Sequence, residues 1–389
     1  MSNQHRQNPD LISPPQLVET PAALRRLVPL LMQEPRVAVD TESNSLYAYH
    51  ERVCLIQFTI PAGDYLVDPL ALEDLSLLAP FFASTEIEKV IHAADYDLIV
   101  LQRDYHFTCG RLFDTMWAAR VLGWPQVGLG HILENYFDVH PDKKFQRYDW
   151  GRRPLEPQPT SYARMDTHYL LPLREIQTAE LREKGRWEEA QEIFAYLRQH
   201  VARPTPPDPD ATFWRIKGIH TLDAGEQRAL YRLHLWREHT AERLDRPVVK
   251  VINNRRLLDL ARVQPRNRQE LRDAGMTSLQ IRRFGEGILR ALRAKSRPLP
   301  PPPAESKRPP EAVMSRYHSL RAWRKDMAYC RGVDTDVILP NATLWELSRH
   351  PPETLDDLLQ VPGIGPWRQA HYGPDLLALL QSRSRPVIC

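Results

Sequence analysis

The chain has 389 residues, 42% apolar and 26% charged, enough for two or three domains with sizeable cores. It nowhere holds the ~18 uninterrupted apolar residues that a membrane-spanning helix needs, so no membrane role is expected. The net charge of +3 conceals an acidic stretch 1–200, with 28 Asp/Glu against 20 Lys/Arg, and a basic stretch 211–297, with 9 against 20; an acidic body joined to a basic module suits a polyanion held by one part and acted on by another, although the same arginines also suit solvated helix faces.

Residues 1–15 lack the apolar core of a signal peptide and read as a disordered lead-in. The four cysteines, Cys54, Cys109, Cys330 and Cys389, are scattered with no Cys-x-x-C pair, which argues against structural zinc and a disulfide framework and fits a reducing cytoplasm. Over residues 16–202, β-rich runs predict strands at Arg36–Asp40, Val53–Thr59, Tyr65–Val67 and Lys89–His92. Helical patterns follow at 70–82, 95–105, 113–122, 129–137 and 160–182. Clustered strands and then strands alternating with helices indicate an α/β domain, a mixed sheet flanked by helices.

Asp40 and Glu42 end the first strand, and residues two apart in an extended chain point to one side. Like charges so placed repel unless a cation compensates them, and a hard divalent ion such as Mg²⁺ does so; a solvated pair at a strand-to-loop junction is the plain alternative. Asp97 falls in the first turn of the helix opened by Ala93-Ala-Asp-Tyr-Asp97, where it or Asp95 also simply complements the helix dipole. The segment 143–153 interleaves Lys143, Lys144, Arg147, Arg152 and Arg153 with Phe145, Tyr148 and Trp150. That mixture suits a single strand, with cations for phosphates and rings for bases, and equally a surface loop whose aromatics cap the core. Tyr162 and Asp166, four apart, share a helix face, as incidental surface pairs also do.

Proline-rich stretches at 203–210 and 297–311 exclude helix and central strand and act as semi-rigid spacers. They set off residues 211–296 and 312–382, which are copies of one another: an offset of 87 aligns Trp236-Arg237 with Trp323-Arg324, Leu257 with Leu344 and Leu260 with Leu347, and one inserted residue later Gly285 meets Gly373. Apolar spacings of three and four make each copy a small all-α bundle. In the second copy the turn Val361-Pro-Gly-Ile-Gly-Pro366 is either an amide-lined phosphate contact or a tight connection. No Gly-Lys dipeptide occurs, so there is no P-loop and no nucleoside triphosphate is expected.

In order, Asp40-Thr-Glu42, His92-Ala-Ala-Asp-Tyr-Asp97-Leu, Phe113-Asp-Thr115, Asp149-Trp-Gly-Arg-Arg-Pro-Leu155 and Tyr162-x-x-x-Asp166, followed by two helical repeats, resemble ribonuclease D, of the exonucleases with an Asp-Glu-Asp-Asp signature, in its tyrosine subgroup. The resemblance implies a ribonuclease-H-like fold followed by two helicase-and-RNase-D C-terminal domains. It implies two divalent ions, Mg²⁺ or Mn²⁺, with Asp40, Glu42 and Asp166 binding the one that activates water, Asp40 bridging to the second beside Asp97, and Tyr162 orienting the water. The activity so implied is 3′→5′ exoribonucleolytic release of 5′-mononucleotides from RNA with a free 3′ end, tRNA precursors among them, by a cytoplasmic monomer. Lys143, Lys144, Arg147, Tyr148, Arg152 and Arg153 are the expected substrate contacts, and the basic first repeat the backbone tether. A DNA exonuclease and a non-catalytic nucleic-acid scaffold are the rival readings.

Overall fold

The computed structural model describes residues 14–141, 143–202, 208–295, 297–303 and 309–381; most of the expected lead-in and parts of both proline-rich stretches lie outside them. Six strands form one mixed sheet in the order β1-β4-β3-β2-β5-β6: β1 (Gln16–Val18), β2 (Arg36–Ser43), β3 (Val53–Ile60), β4 (Gly63–Val67), β5 (Glu88–Ile91) and β6 (Leu112–Asp114). β3 is antiparallel to β2 and β4, and the remaining neighbours are parallel. The run Val-Cys-Leu-Ile-Gln-Phe-Thr-Ile forms β3 with all eight residues buried, as a near-continuous apolar strand covered on both faces should be.

Around the sheet lie α1 (Pro21–Gln33), α2 (Ala79–Ala83), α3 (Asp95–Tyr105), α4 (Thr115–Leu122), α5 (Leu129–Phe137), α6 (Pro157–His168), α7 (Leu170–Glu183) and α8 (Trp187–Gln199). β1, α1 and α8 add to the expected elements, and three expectations change. The helix expected over 70–82 starts late: residues 70–75 are irregular, a 3-10 turn at Ser76–Leu78 leads into α2, and Asp74 accepts from the Ser76 backbone and hydroxyl at 2.7 and 3.0 Å and turns the chain before it. The pattern at 113–122 begins as β6, and Asp114 then caps α4 by accepting from Met116 and Trp117 N–H at 2.9 and 3.0 Å. The pattern at 160–182 divides at Tyr169 into α6 and α7, since Pro172 offers no N–H to bond back into the preceding turn.

The first repeat comprises α9 (Pro209–Phe213), α10 (Ala224–Arg243), α11 (Val248–Val251), α12 (Asn254–Val263), α13 (Arg268–Asp273) and α14 (Ser278–Arg293). The second comprises α15 (Glu311–Arg331), α16 (Thr335–Ile338), α17 (Asn341–Arg349), α18 (Leu355–Leu358) and α19 (Pro366–Gln381). The helices recur in the register of the sequence repeat. Buried Arg237 donates to the Ile252 carbonyl and buried Arg324 to that of Leu339, at 3.3 and 2.9 Å, and both the arginines and the carbonyls stand 87 apart. Gly373 admits α18 so closely that a Cβ would lie 2.7 Å from Leu355. Part of the second proline-rich stretch is no free spacer: Leu299 packs on the first repeat's core, and Trp214 donates to the Pro300 carbonyl at 3.3 Å.

The chain divides into two compact units. One joins the sheet and its helices with the second repeat; the other joins the 44–52 connection with the first repeat. Within the second unit, Asp245 accepts from Tyr49 and His50 N–H at 3.0 and 3.3 Å, and Tyr49 donates to Glu238 at 3.2 Å. Cys54 and Cys109 are free thiols, whereas Cys330 is disulfide-bonded, so the cysteines are not the uniform reduced set that their scatter suggests. No described helix is long and apolar enough to cross a membrane.

Candidate active site

Asp40 and Glu42 lie opposite Gln57 and Leu55 of β3. The parallel ladder with β5 covers only Arg36, Val37 and Ala38, so both carboxylates project past the carboxyl end of β5, where α3 begins. Irregularity of the ladder at Glu42 and Ser43 ends the strand there. α6 packs against β2, β3 and β4 and brings Asp166 inward. One carboxylate oxygen from each of Asp40, Glu42 and Asp166 lies within 4.8 Å of the others. All three residues are half-buried, and Asp97 is buried.

By spacing alone Asp95 complements the dipole of α3 as well as Asp97 does, and the resemblance chooses Asp97; the fold gives the two different surroundings. Asp95 is exposed and Asp97 is buried, held by Thr41, whose hydroxyl donates to it at 2.5 Å. Thr41 thereby ties the strand of Asp40 and Glu42 to the helix of Asp97. Asp40 in turn accepts from Gln57 Nε2 at 3.2 Å. Asp114 is a residue whose role here the sequence did not reveal. Besides capping α4, it accepts from Ala93 and Ala94 N–H at 3.2 and 2.7 Å. It so fixes the turn entering α3, where Ala93 sits at φ 62°, a region costly for a residue with a Cβ. Its sequence signal is the Phe113-Asp-Thr115 segment of the resemblance, which carries no role for the carboxylate.

Burial, above all, lifts the carboxyls. Asp97 and Asp166 are pushed up to about 7, the latter also by the charge of Asp97. Asp40 stands well above the usual range by burial, then by Asp97, Asp166 and Glu42; Glu42 does so by burial, then by Asp166 and Asp97. The Tyr162 phenol is raised by burial and by Asp166, Glu42 and Asp40, so it stays protonated at any ordinary pH. Among the described residues no Lys, Arg or His pairs with any of the four carboxylates. A cluster that repels itself and has no cationic side chain is a donor set fitted to divalent ions with oxygen ligands.

A pH dependence follows. Carboxyls whose folded pKa values exceed their unfolded ones cost stability progressively as pH rises from about 4 through 7, and ligands must shed protons to bind metal. With EDTA, the melting temperature should therefore fall between pH 5 and 8. Mg²⁺ or Mn²⁺ should restore it more at pH 8 than at pH 6. A metal-free melting temperature independent of pH would show that the cluster is not under this repulsion.

Beside Asp166 and Tyr162 a cavity of about 250 Å³ opens, lined by the Gly128–His131 turn, Leu133, Pro141 and Gln146. The expected substrate contacts divide. Arg153 is spent: its guanidinium makes five hydrogen bonds, two to Asp68 at 2.6 Å and the others to the carbonyls of Trp150, Arg152 and Cys54. It is a structural clamp, and no donor remains for phosphate. Trp150 is core at 2% exposure, and Tyr148 packs on it at 5.1 Å between ring centroids. Phe145 follows at 6.0 Å from Tyr148 and 5.8 Å from Tyr162. The aromatics of the segment thus cap a small core and lead to the site. Lys144 (over the Phe145 ring), Arg147 and Arg152 are exposed; the Lys143 side chain lies outside the described residues.

The turn at Val361–Pro366 is already engaged. Glu192 of α8 accepts from the Trp367 and Arg368 N–H groups at 2.7 and 3.3 Å and pairs with the Arg368 guanidinium at 3.3 Å. A protein carboxylate fills the helix N-terminus that a phosphate would need, so the turn serves as a docking element.

Comparison with known proteins agrees with this geometry. A 3′-5′ exonuclease family model matches residues 15–182, and an HRDC domain model matches 226–292 and 313–380. The chain is 30% identical to ribonuclease D of Haemophilus influenzae over 272 residues, covering 69% of this chain and 68% of that one. It is 43% identical over 167 residues to the RRP6-like protein 3 of Arabidopsis thaliana and 33% over 267 to the exosome complex exonuclease RRP6 of Saccharomyces cerevisiae. Those matches cover 43% and 65% of this chain but only 19% and 36% of the two relatives. Among solved structures, Escherichia coli RNase D, described as an exoribonuclease involved in structured RNA processing, is similar at TM-score 0.67 and 25% identity, over 95% of this chain and 99% of that one.

Proposed function

Because the chain belongs to the ribonuclease D family, we propose that it is a metal-dependent 3′→5′ exoribonuclease that releases 5′-mononucleotides from RNA 3′ ends, in the 3′ maturation of tRNA precursors and other stable RNAs. The observation that carries this reading is the convergence of Asp40, Glu42 and Asp166 within 4.8 Å, beside buried Asp97 and, among the described residues, with no cationic side chain paired to them. Hydrolysis of a phosphodiester needs a water made nucleophilic near neutral pH and relief of charge on the departing 3′-oxygen, and two divalent ions supply both when bound. Asp40, Glu42 and Asp166 would hold the ion that activates water, and Asp40 with Asp97 would hold the one that relieves charge on the leaving oxygen. Thr41 and Asp114 keep Asp97 aimed inward.

Tyr162, held protonated by its acidic surroundings, orients the attacking water through its hydroxyl and does not serve as the base. Tyr162→Phe should therefore lower turnover about 10–100-fold, the scale of one positioning hydrogen bond, while divalent-ion affinity stays unchanged; an equal loss of metal binding would refute the orienting role. The cavity beside Tyr162 and Asp166 takes the terminal nucleotide, and the exposed Lys144, Arg147 and Arg152 face the strand that follows it. The working form in this reading is a cytoplasmic monomer. The deciding experiment offers matched RNA and DNA oligonucleotides, with free or phosphate-blocked 3′ ends, to the purified protein with Mg²⁺ or Mn²⁺. Stepwise shortening of the free-ended RNA is expected. Preference for DNA would make it a deoxyribonuclease, and RNA binding without shortening would make it a scaffold.

A further inference from the structure

The duplication lets one copy show what the other leaves open. In the first repeat, residues 209–222 lie across α10 and α12. Phe213 meets the rings of Tyr231 and His234 at 5.0 and 5.9 Å, and with Ile216 and Ile219 it joins the core of the bundle. Gly218 closes on Leu258, whose Cδ1 a Cβ would approach to 3.2 Å. Gln227 donates to the Leu222 carbonyl at 3.1 Å and Arg262 to the Thr221 hydroxyl at 2.8 Å. Under this cover Leu230 is fully buried.

The second repeat has no such cover among the described residues. The offset of 87 sets Pro300, Pro303 and Ser306 where Phe213, Ile216 and Ile219 stand, and Leu299 and Pro300 serve the first repeat instead. The side of the second repeat that the exonuclease body takes is another one, where Val337 is fully buried and Val333 packs beside it. The same offset puts Tyr317, Arg321, Trp345 and Arg349 at the places of Leu230, His234, Leu258 and Arg262. Both arginines are exposed, as is His318 between them and the rings, and Tyr317 and Trp345 are half-buried. The two rings stack at 4.0 Å between centroids, 16° from parallel, and the Arg349 guanidinium stands 5.3 Å over the indole. Tyr317 is fixed further by donating to Asn341 at 3.0 Å.

A face meant only for water has no use for two large ordered rings. Trp, Tyr and Arg are the side chains that carry most of the energy where proteins meet. The copy whose face is covered shows the form the cover takes, a short helix and turn with apolar residues three apart. The nearby acid of α17, Glu346, is paired with His350 at 2.9 Å, so His318, Arg321 and Arg349 set the charge that a visitor meets, and acidic side chains complement it.

We infer that the α15–α17 face of the second repeat, formed by Tyr317, Arg321, Trp345 and Arg349, docks a short helical segment of a partner protein that carries apolar residues three apart and acidic side chains beside them. This inference does not rest on the exonuclease reading. The test is fluorescence anisotropy with the full chain and a labelled synthetic peptide. Its sequence is that of residues 208–222 with Arg215→Glu and Lys217→Glu, which keeps Phe213, Ile216 and Ile219 and adds the acids. Saturable binding is expected at a Kd of about 10–100 µM, the range that a few anchors on a small face reach. Trp345→Ala should weaken it about 10-fold or more. Arg321→Glu with Arg349→Glu changes only exposed side chains, and it should weaken binding about 5-fold near 0.15 M salt and more at lower salt. Melting temperatures of both variants check that each is folded.

Absence of binding by the peptide, or equal binding by the parent and the charge-reversed variant, would overturn the proposal. So would a single-stranded RNA whose affinity falls with Trp345→Ala while the peptide is indifferent, which would make the face a nucleic-acid surface. Self-association of the parent that Trp345→Ala abolishes and the peptide does not compete with would overturn it as well, in favour of a second copy of the chain.

Discussion

Replacing Asp40 by Asn should abolish nucleotide release while leaving the protein folded. Asp40 is one of three carboxylates whose oxygens converge within 4.8 Å, and the proposed mechanism would have it alone hold both ions. Loss of a shared ligand removes water activation and leaving-group stabilisation together, so a fall of about 10⁴-fold or more is expected, roughly 5.5 kcal/mol of barrier. Asparagine keeps the shape and still meets Gln57, which donates to Asp40 at 3.2 Å. Because the other three carboxyls repel the charge it removes, the variant should be more heat-stable than the parent in EDTA at pH 8. Single-turnover assays on 3′-labelled RNA and thermal denaturation measure the two effects. A variant within tenfold of the parent would remove Asp40 from the chemistry, and a variant that loses fold and activity together would make its role structural.

The largest stability effect is expected at Arg331. Its guanidinium meets both oxygens of Glu189 at 2.6 Å, and the glutamate is fully buried at 0% exposure. Arg331→Ala would strand that carboxylate without a partner, and truncating one member of a buried pair costs about 3–5 kcal/mol, roughly 10 °C in melting temperature for a unit of this size. A neighbouring pair calibrates the claim. Arg120 bonds Asp336 at 2.6 Å, but the aspartate side chain is 40% exposed, so Arg120→Ala should cost only about 1 kcal/mol or less. Replacing Glu189 and Arg331 together by Met and Leu should recover most of the loss, since an apolar pair leaves no buried charge. A drop for Arg331→Ala no larger than for Arg120→Ala would show that the second repeat is not braced by this contact.

The repeats show how far periodicity reaches. Trp236-Arg237 and Trp323-Arg324, in register over a whole bundle, foretold two copies, and the helices recur at the same offset because the same apolar positions dictate the same packing. The sequence could not show that only the second copy is built into the exonuclease body. That depends on Val333, Val337 and Arg331 meeting partners far along the chain, and such pairing leaves no local period. Asp74 delayed one expected helix by accepting from the backbone, and Pro172 divided another by lacking an N–H, neither of which apolar spacing registers.

Asp40 and Glu42 sharing a strand face, and Tyr162 and Asp166 sharing a helix face, were legible from backbone geometry, whereas the class of chemistry came from the resemblance that the motifs carry in order. The tertiary structure decided the rest. It buried Asp97 and exposed Asp95, two residues along one turn, because Thr41 and Asp114 reach that turn from other strands. It turned Arg153 inward onto Asp68, because a guanidinium beside a buried carboxylate gains more there than in water. Local sequence sets the direction in which a side chain leaves the backbone; what waits to receive it is brought by distant segments.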